Sequence, residues 1–407
     1  MPVDRRQLLK GAGGIAAATT LAGCLGQIMG GSDDGALLWH DYTDGEEDDL
    51  ESYMNEFEEE TEHEISVESV SDMDEQLETT TPAGDAPHTW AWAHDWVGRF
   101  AERDDPEYLY DASDDLSVDL GVYSGGAQEA VEWEGGVYGL PFASETVTLF
   151  YNENLVDEAP ETVSEMEEVM EDFHDPEDGT YGLSYPVDAY FCSAWLHAYG
   201  GFLYDAEADE LGHELDETVE GFETLADTLW EYVPNDPDYE SQVTVFDEGN
   251  APFAINGPWE IDGFRGSDDV ELGVATLPTV DGNEPNPFTG IQIWYFGAML
   301  NDADEEDFDA IVDWAEWYTT NEEVIATNAD RHGYIPVHTD HAEQDDIDDA
   351  VQVFASQVEQ GTPMPAHPNM DNVWEPTEDA LVNVFNGDQE PREALQEAAE
   401  TIRDSWD

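Results

Sequence analysis

In "EEDDLESYMNEFEEETEH", residues 46–63, Leu50, Tyr53, Met54 and Phe57 recur at the three- and four-residue spacing of one helical face. The apolar run "ALLWHDY" (36–42) before it reads as a buried strand, and "EISVESV" (64–70) after it alternates like a second. "MDEQLETT" predicts a further helix and "HTWAWAHD" a third strand. Strands and helices in strict alternation are the pattern of a parallel α/β sheet.

The pattern continues to the end of the chain. "GLPFASETVTLFYN" (139–152) is one long strand signal, and "SEMEEVMEDF" places Met166, Val169, Met170 and Phe173 on one helical face. "YGLSYP" predicts a strand, "AYFCSAWLHAYGG" and "FETLADTLWEYV" predict helices, and "APFAINGPW" predicts a strand running into a turn. "LGVATLP" and "GIQIWYFGAML" are further strands, and "FDAIVDWAEWYTT" and "PREALQEAAETIRDSW" are helices. No repeat and no long linker interrupts the sequence.

At 407 residues and 40% hydrophobic content, the chain suits two domains with real cores. Its charge changes the picture more than its length does. There are 100 Asp and Glu against 9 Lys and Arg, a formal net charge of -91, with acids in nearly every segment and one lysine, Lys10. Such a surface repels itself in dilute buffer. In about 1 M salt the Debye length falls to about 3 Å and the repulsion is screened. The composition therefore reads as adaptation to high salt, with basic partners or calcium as the competing readings. Nucleic acid is excluded as a partner, because no basic patch exists to neutralise phosphates.

Residues 4–24, "DRRQLLKGAGGIAAATTLAGC", resemble a twin-arginine export signal: Arg5-Arg6, then a short, weakly apolar run. Its end, "LAGC", resembles a lipobox with Cys24 as the lipidated residue, and residues 25–35 read as a tether. The protein is then expected to be exported folded and held by a diacyl group on Cys24 at the extracytoplasmic face of the cell membrane. Gly11, Gly13 and Ala16 satisfy GxGxxA, but no strand precedes them, so a dinucleotide site is not expected. Cys192, in an apolar helical pattern, reads as a buried free thiol.

Catalytic motifs are missing. The sequence holds no P-loop, HExxH, GxSxG or paired CxxC; "HEISV" and "HELDE" lack a second histidine, and "DPEDGTYG" has the wrong spacing for a calcium loop. No catalytic residue, metal or cofactor is expected. Aromatic residues point to binding instead. A sugar ring offers an apolar C–H face and a rim of hydroxyls, so its site needs flat rings for the face and fixed carboxylates for the rim. In "TWAWAHDWVG" (89–98), Trp92 and Asp95 fall at the C-terminal end of a strand, where open α/β sheets bind ligands, while Trp90 reads as core.

The sequence is similar to the extracellular solute-binding proteins of ABC importers (family 1), most closely the maltose/maltodextrin-binding branch, here in a haloarchaeal form. "AWAHD" (91–95), "LPFASETVTLFYN", "AYF" followed by "YGG" (189–201), "INGPW" (255–259), "GVATLPT" (273–279) and "GTPMPAHPNMDNVW" (361–374) carry the resemblance, in the family's order and spacing. It implies a two-lobed periplasmic-binding-protein fold (type II), with residues 36–143 and 291–342 in one lobe and 144–290 and 343–407 in the other. Ligand would lie in the cleft between them, and hinge closure would present the closed form to a membrane permease. By position, the resemblance assigns ligand contacts to Trp92, Asp95, Glu145, Asp188, Tyr190, Phe191, Trp259 and Trp374. Three basic sugar contacts of the maltose pattern are replaced, by Asp44, Trp96 and Glu378, and Trp96 is expected to add an aromatic platform.

The expectation is a monomeric binding protein that delivers an oligosaccharide, maltodextrin-like, to an ABC importer. The alternatives are another solute in the same role (another sugar, a polyol or a glycerophosphodiester), a secreted carbohydrate-active enzyme, or a purely structural cell-surface protein. The charge itself makes one prediction. The thermal midpoint of the soluble domain should climb as KCl is raised from about 0.2 M to about 3 M, measured by circular dichroism; a flat response would contradict the salt-adaptation reading.

Overall fold

The computed structural model describes residues 35–42, 44–103, 105–342 and 347–406. Residues 1–34, with the export signal, Cys24 and nearly all of the tether, lie outside them, as does the side chain of Asp44. The first three strands, β1 (Ala36–His40), β2 (Ile65–Ser69) and β3 (Thr89–Ala93), pair in parallel, joined by helices α1 (Asp44–Thr61) and α2 (Met73–Thr80). Leu50, Met54 and Phe57 of α1 are buried against this sheet, as their spacing predicts.

A short helix, α3 (Trp96–Ala101), follows β3 directly. The sheet then grows by strands from far along the chain: β4 (Gly139–Glu145), β9 (Phe288–Phe296) and β10 (Ile335–Pro336) give the order β10-β4-β9-β3-β1-β2. β9 runs antiparallel to both β3 and β4, so the sheet is mixed rather than parallel throughout. A second, four-stranded sheet has the order β8-β5-β7-β6, from β5 (Thr148–Asn152), β6 (Leu183–Ser184), β7 (Phe253–Asn256) and β8 (Leu272–Ala275). A two-residue strand, β11 (Thr362–Pro363), pairs with the start of β9. This is a two-lobed periplasmic-binding-protein fold, one lobe built around each sheet.

The long strand signal at 139–152 is thus two strands in two sheets, broken at Thr146-Val147. Nothing local marks the break, because every residue from Gly139 to Phe150 is buried and no glycine or proline stands at it. Tertiary hydrogen bonds fix it instead. The Thr146 hydroxyl donates to the Phe288 carbonyl at 2.9 Å and the Thr148 hydroxyl to that of Ala275 at 2.7 Å, tying this crossing to the returning one. The single helix expected at 222–233 also divides: an α-helix, Asp216–Thr224, widens into a π turn at Leu225–Leu229 and tightens into a 3-10 turn at Trp230–Tyr232.

Three further helices matter for the site: α4 (Ala189–Leu196), α5 (Glu305–Thr320) and α6 (Asp349–Val358), followed by the long α7 (Pro368–Phe385), which packs against α4 and the C-terminal helix Pro391–Trp406. Cys192, on α4, is a buried free thiol. The first lobe's core centres on Trp294 of β9, fully buried with its ring 5.2 Å from Tyr318, 5.7 Å from Trp314 and 5.7 Å from Phe142. Trp294→Ala should lower unfolding free energy by about 3–5 kcal/mol, the usual cost of emptying a tryptophan-sized core site. Urea unfolding in high KCl measures it.

Candidate functional site

Strand alternation puts Trp90 and Trp92 on the same face of β3, so what separates them is how far each is covered. Trp90 is 1% exposed and stacks on Tyr295, ring centroids 5.0 Å apart at 9°, so it is core. Trp92 is only half-buried; its ring stacks on Trp96 at 4.7 Å and 18°. Trp96 is itself buried, with Arg99 5.1 Å from its ring. The open face of this pair therefore belongs to Trp92, and Trp96, expected as an extra platform, stands behind it.

Asp95 lies at the β3–α3 junction, half-buried. Burial pushes its carboxyl up to about 7, with the Arg99 charge pulling the other way and Glu145 adding to the rise. Glu145 ends β4 and is buried; the Gln292 side-chain amide donates to it at 2.7 Å. Burial outweighs that bond and raises this carboxyl to about 7 as well. Its neighbour across the pairing is Gly290, and a Cβ there would lie 2.4 Å from the carboxylate oxygen, so the glycine makes room for it. Strand alternation turns Ser144 and Ile291 to the opposite face, where they line a cavity of about 490 Å³ with Thr289, Ile335, Val337 and Val351. That cavity has no aromatic lining and lies behind the carboxylates, not among them.

The second sheet contributes α4. Asp188 caps it, accepting from the backbone amides of Tyr190 at 2.7 Å and Phe191 at 3.2 Å, and burial raises its carboxyl despite those bonds. One oxygen thus serves the helix end. The Tyr190 hydroxyl is buried and has no hydrogen-bond partner among the described residues, and Glu145, Asp188 and Asp95 all lie within electrostatic reach of it. Phe191 is buried against Tyr190, Tyr239 and Trp259, so it supports rings and is not itself a surface.

Trp259 follows β7 on the "NGPW" turn, half-buried, with its indole N–H donating to the Tyr239 hydroxyl at 2.7 Å. Tyr239 in turn donates to Glu260. The ring lies flat over Gly257, where a Cβ would come within 2.2 Å of it. Trp374, on α7, is half-buried with Phe288 5.6 Å from its ring. Glu378, one turn on, is exposed and within electrostatic reach of Asp188. The structure therefore brings Asp95, Glu145 and Asp188 within electrostatic reach of Tyr190; Trp92, Trp259 and Trp374 are the half-buried indoles among the predicted residues.

Sequence reasoning missed Gln292 and Tyr239. Gln292 had a signal, a lone amide inside the apolar "GIQIWYF". Tyr239 had none, because its partner Trp259 is 20 residues away. All six described arginines are paired with carboxylates: Arg99 with Asp74 and Asp371, Arg103 with Glu78, Arg265 with Asp348, Arg331 with Asp49, Arg392 with Asp216 and Arg403 with Glu214. Among the described residues no arginine is left over for an anionic ligand.

The model of the bacterial extracellular solute-binding protein family matches residues 52–355. The maltotriose-binding protein of Pyrococcus abyssi (strain GE5 / Orsay) is 37% identical over 345 residues, 82% of this chain and 73% of that protein. A maltooligosaccharide ABC transporter solute-binding lipoprotein of Streptococcus pneumoniae (strain ATCC BAA-255 / R6) is 26% identical over 289 residues, 67% of this chain and 66% of that one. The crystal structure of a cyclo/maltodextrin-binding protein complexed with maltotetraose superposes with a TM-score of 0.73 at 26% identity, covering 93% of this chain and 98% of the other.

The raised carboxyls give a signed prediction. A carboxyl whose folded pKa lies above its ordinary value adds stability below the ordinary value, about 4.5 for glutamate, and that stability is lost as pH rises through about 7. Glu145→Gln removes this loss. The variant's melting temperature, relative to the parent, should gain roughly 2 °C or more at pH 8 and much less at pH 5. Scanning calorimetry at the two pH values checks it, and an equal shift at both would contradict burial as the cause.

Proposed function

We propose, from the chain's membership of the bacterial extracellular solute-binding protein family, to which it belongs, that it binds an oligosaccharide of the α-glucan type and delivers it to an ABC importer. The observation that carries this reading is the Tyr190 hydroxyl, buried without a partner amid Asp95, Glu145 and Asp188. A buried hydroxyl left unpaired costs about 1–3 kcal/mol. Sugar hydroxyls inserted between it and the carboxylates meet that need on both sides, while Trp92, Trp259 and Trp374 cover the ring faces.

The ligands of the similar proteins, maltotriose, maltooligosaccharides and maltotetraose, support this class. The pairing of every described arginine argues against a phosphate-bearing solute such as a glycerophosphodiester. In this reading the protein transports and does not cleave; the lobes are residues 36–143 with 291–342 and 144–290 with 343–407, closing around the sugar. Export by the twin-arginine route and anchoring through Cys24 at the extracytoplasmic face complete the proposal, with a lipoprotein among the similar proteins as support.

Titration of the soluble domain with maltose, maltotriose and longer maltodextrins in high KCl, followed by tryptophan fluorescence, tests it. Saturable binding should weaken about 30- to 100-fold in Trp259→Ala, the loss expected for one buried aromatic face. Absence of any saturable change would remove maltodextrins as the ligand. Products of glucan cleavage on chromatography after incubation would show an enzyme instead.

A further inference from the structure

Arg99 is the only buried arginine among the described residues, 8% exposed. A buried cation is costly unless its donors are met. Two carboxylates meet its terminal nitrogens directly, Asp74 of α2 and Asp371 in the first turn of α7, Glu78 of α2 stands 3.7 Å away, and only its Nε has no partner among the described residues. Burial works against the charge, but Asp371 and Asp74 outweigh it, so the guanidinium is held firmly charged. Its plane also lies 4.3 Å from the Phe100 ring and 5.1 Å from the Trp96 ring.

Two lines leave this residue, one reaching a tryptophan of the proposed cleft by contact and the other reaching the helix turn that carries a second. One runs from the guanidinium to Trp96 and on to the stacked ring of Trp92. The other runs through Asp371, three residues before Trp374 and so on the same side of α7. The backbone beside them is equally tight. The Gly98 amide donates to the Ala366 carbonyl at 3.1 Å, and a Cβ on Gly98 would lie 2.1 Å from that oxygen. Trp92 stands on the first sheet, and Trp374 on a helix packed against α4 over the second.

We infer that Arg99 is a positioning residue that sets the placement of Trp92 and Trp374 relative to each other, and with it the sugar length the cleft accepts. It acts through Trp96 and through Asp371. Its planar fork is what allows one side chain to bond two carboxylates while stacking on an indole, which a lysine ammonium does not do. The ligand readout rests on the sugar reading above, whereas the geometry does not.

Asp371→Asn cuts one line and Arg99→Lys loosens both. In about 3 M KCl, Asp371→Asn should weaken maltotriose about tenfold and flatten the preference among maltodextrin lengths. Combined with Trp374→Ala it should bind no more weakly than Trp374→Ala alone, because the effect passes through that ring. Arg99→Lys should diminish the circular-dichroism couplet of the stacked Trp92–Trp96 indoles, identified as the signal lost in Trp96→Phe, while Asp371→Asn retains it. Maltotriose affinity within about twofold of the parent, or full additivity with Trp374→Ala, would reduce Arg99 to a stabilising ion pair and overturn the inference. Should Arg99→Lys fail to fold, the Asp371→Asn cycle decides alone. Should the parent bind no maltotriose, the sugar reading fails, and the couplet decides for Arg99: its persistence in Arg99→Lys overturns the positioning role.

Discussion

The antiparallel pairing of β4 with β9 is the constraint on which the rest of the molecule hangs. It joins the segment leaving the first sheet to the segment returning from the second, and its register sets Gly290 opposite Glu145. The register shifts by one residue between Gln292 and Ile293, leaving Phe142 extra. Pro141 stands at that point, and a residue with no N–H to give a ladder is tolerated in a strand at such a bulge. Beyond the bulge, Glu145 and Gln292 share a face and bond one another, and Ser144 and Ile291 turn to the aliphatic cavity behind. A strand interior is thereby converted into a site wall, with one polar pair fixed at its centre.

Electrostatics divides the molecule in two. On the surface, carboxylates repel through solvent, and dissolved salt supplies the screening. In the interior the same residue type behaves differently: burial raises the carboxyls of Asp95 and Glu145 to about 7. Arg99 is the buried cation in this region, and its donors are already turned to Asp74 and Asp371. Every described arginine is likewise paired with a carboxylate, so none is left to balance the carboxyls of Asp95 and Glu145 beyond the pull of Arg99 on Asp95.

Much of this was legible in the chain. The spacing of Leu50, Met54 and Phe57 predicts α1 and its buried face, because the other side of that helix meets water, and the continuous apolar runs predict β1, β3 and β7, which are buried on both faces for most of their length. The resemblance of "AWAHD", "INGPW" and "MDNVW" to family motifs nominated the residues that the fold gathers from both sheets. It did not tell Trp92 from Trp96. Both are tryptophans a few positions apart, and only the stack, with Arg99 beneath, shows which ring keeps an open face.

What the sequence determined by itself was therefore local: the order of strands and helices, the buried face of the amphipathic helices, the acidic surface, and the kinds of side chain available to a ligand. Tertiary structure alone decided the break at Thr146, the antiparallel place of β9, the bond from Gln292 to Glu145 and the convergence of contacts on Arg99. The physical reason is the same each time. Periodicity reports that a residue is buried, but the partner it is buried against comes from a distant part of the chain, as far as 272 residues away for Arg99 and Asp371.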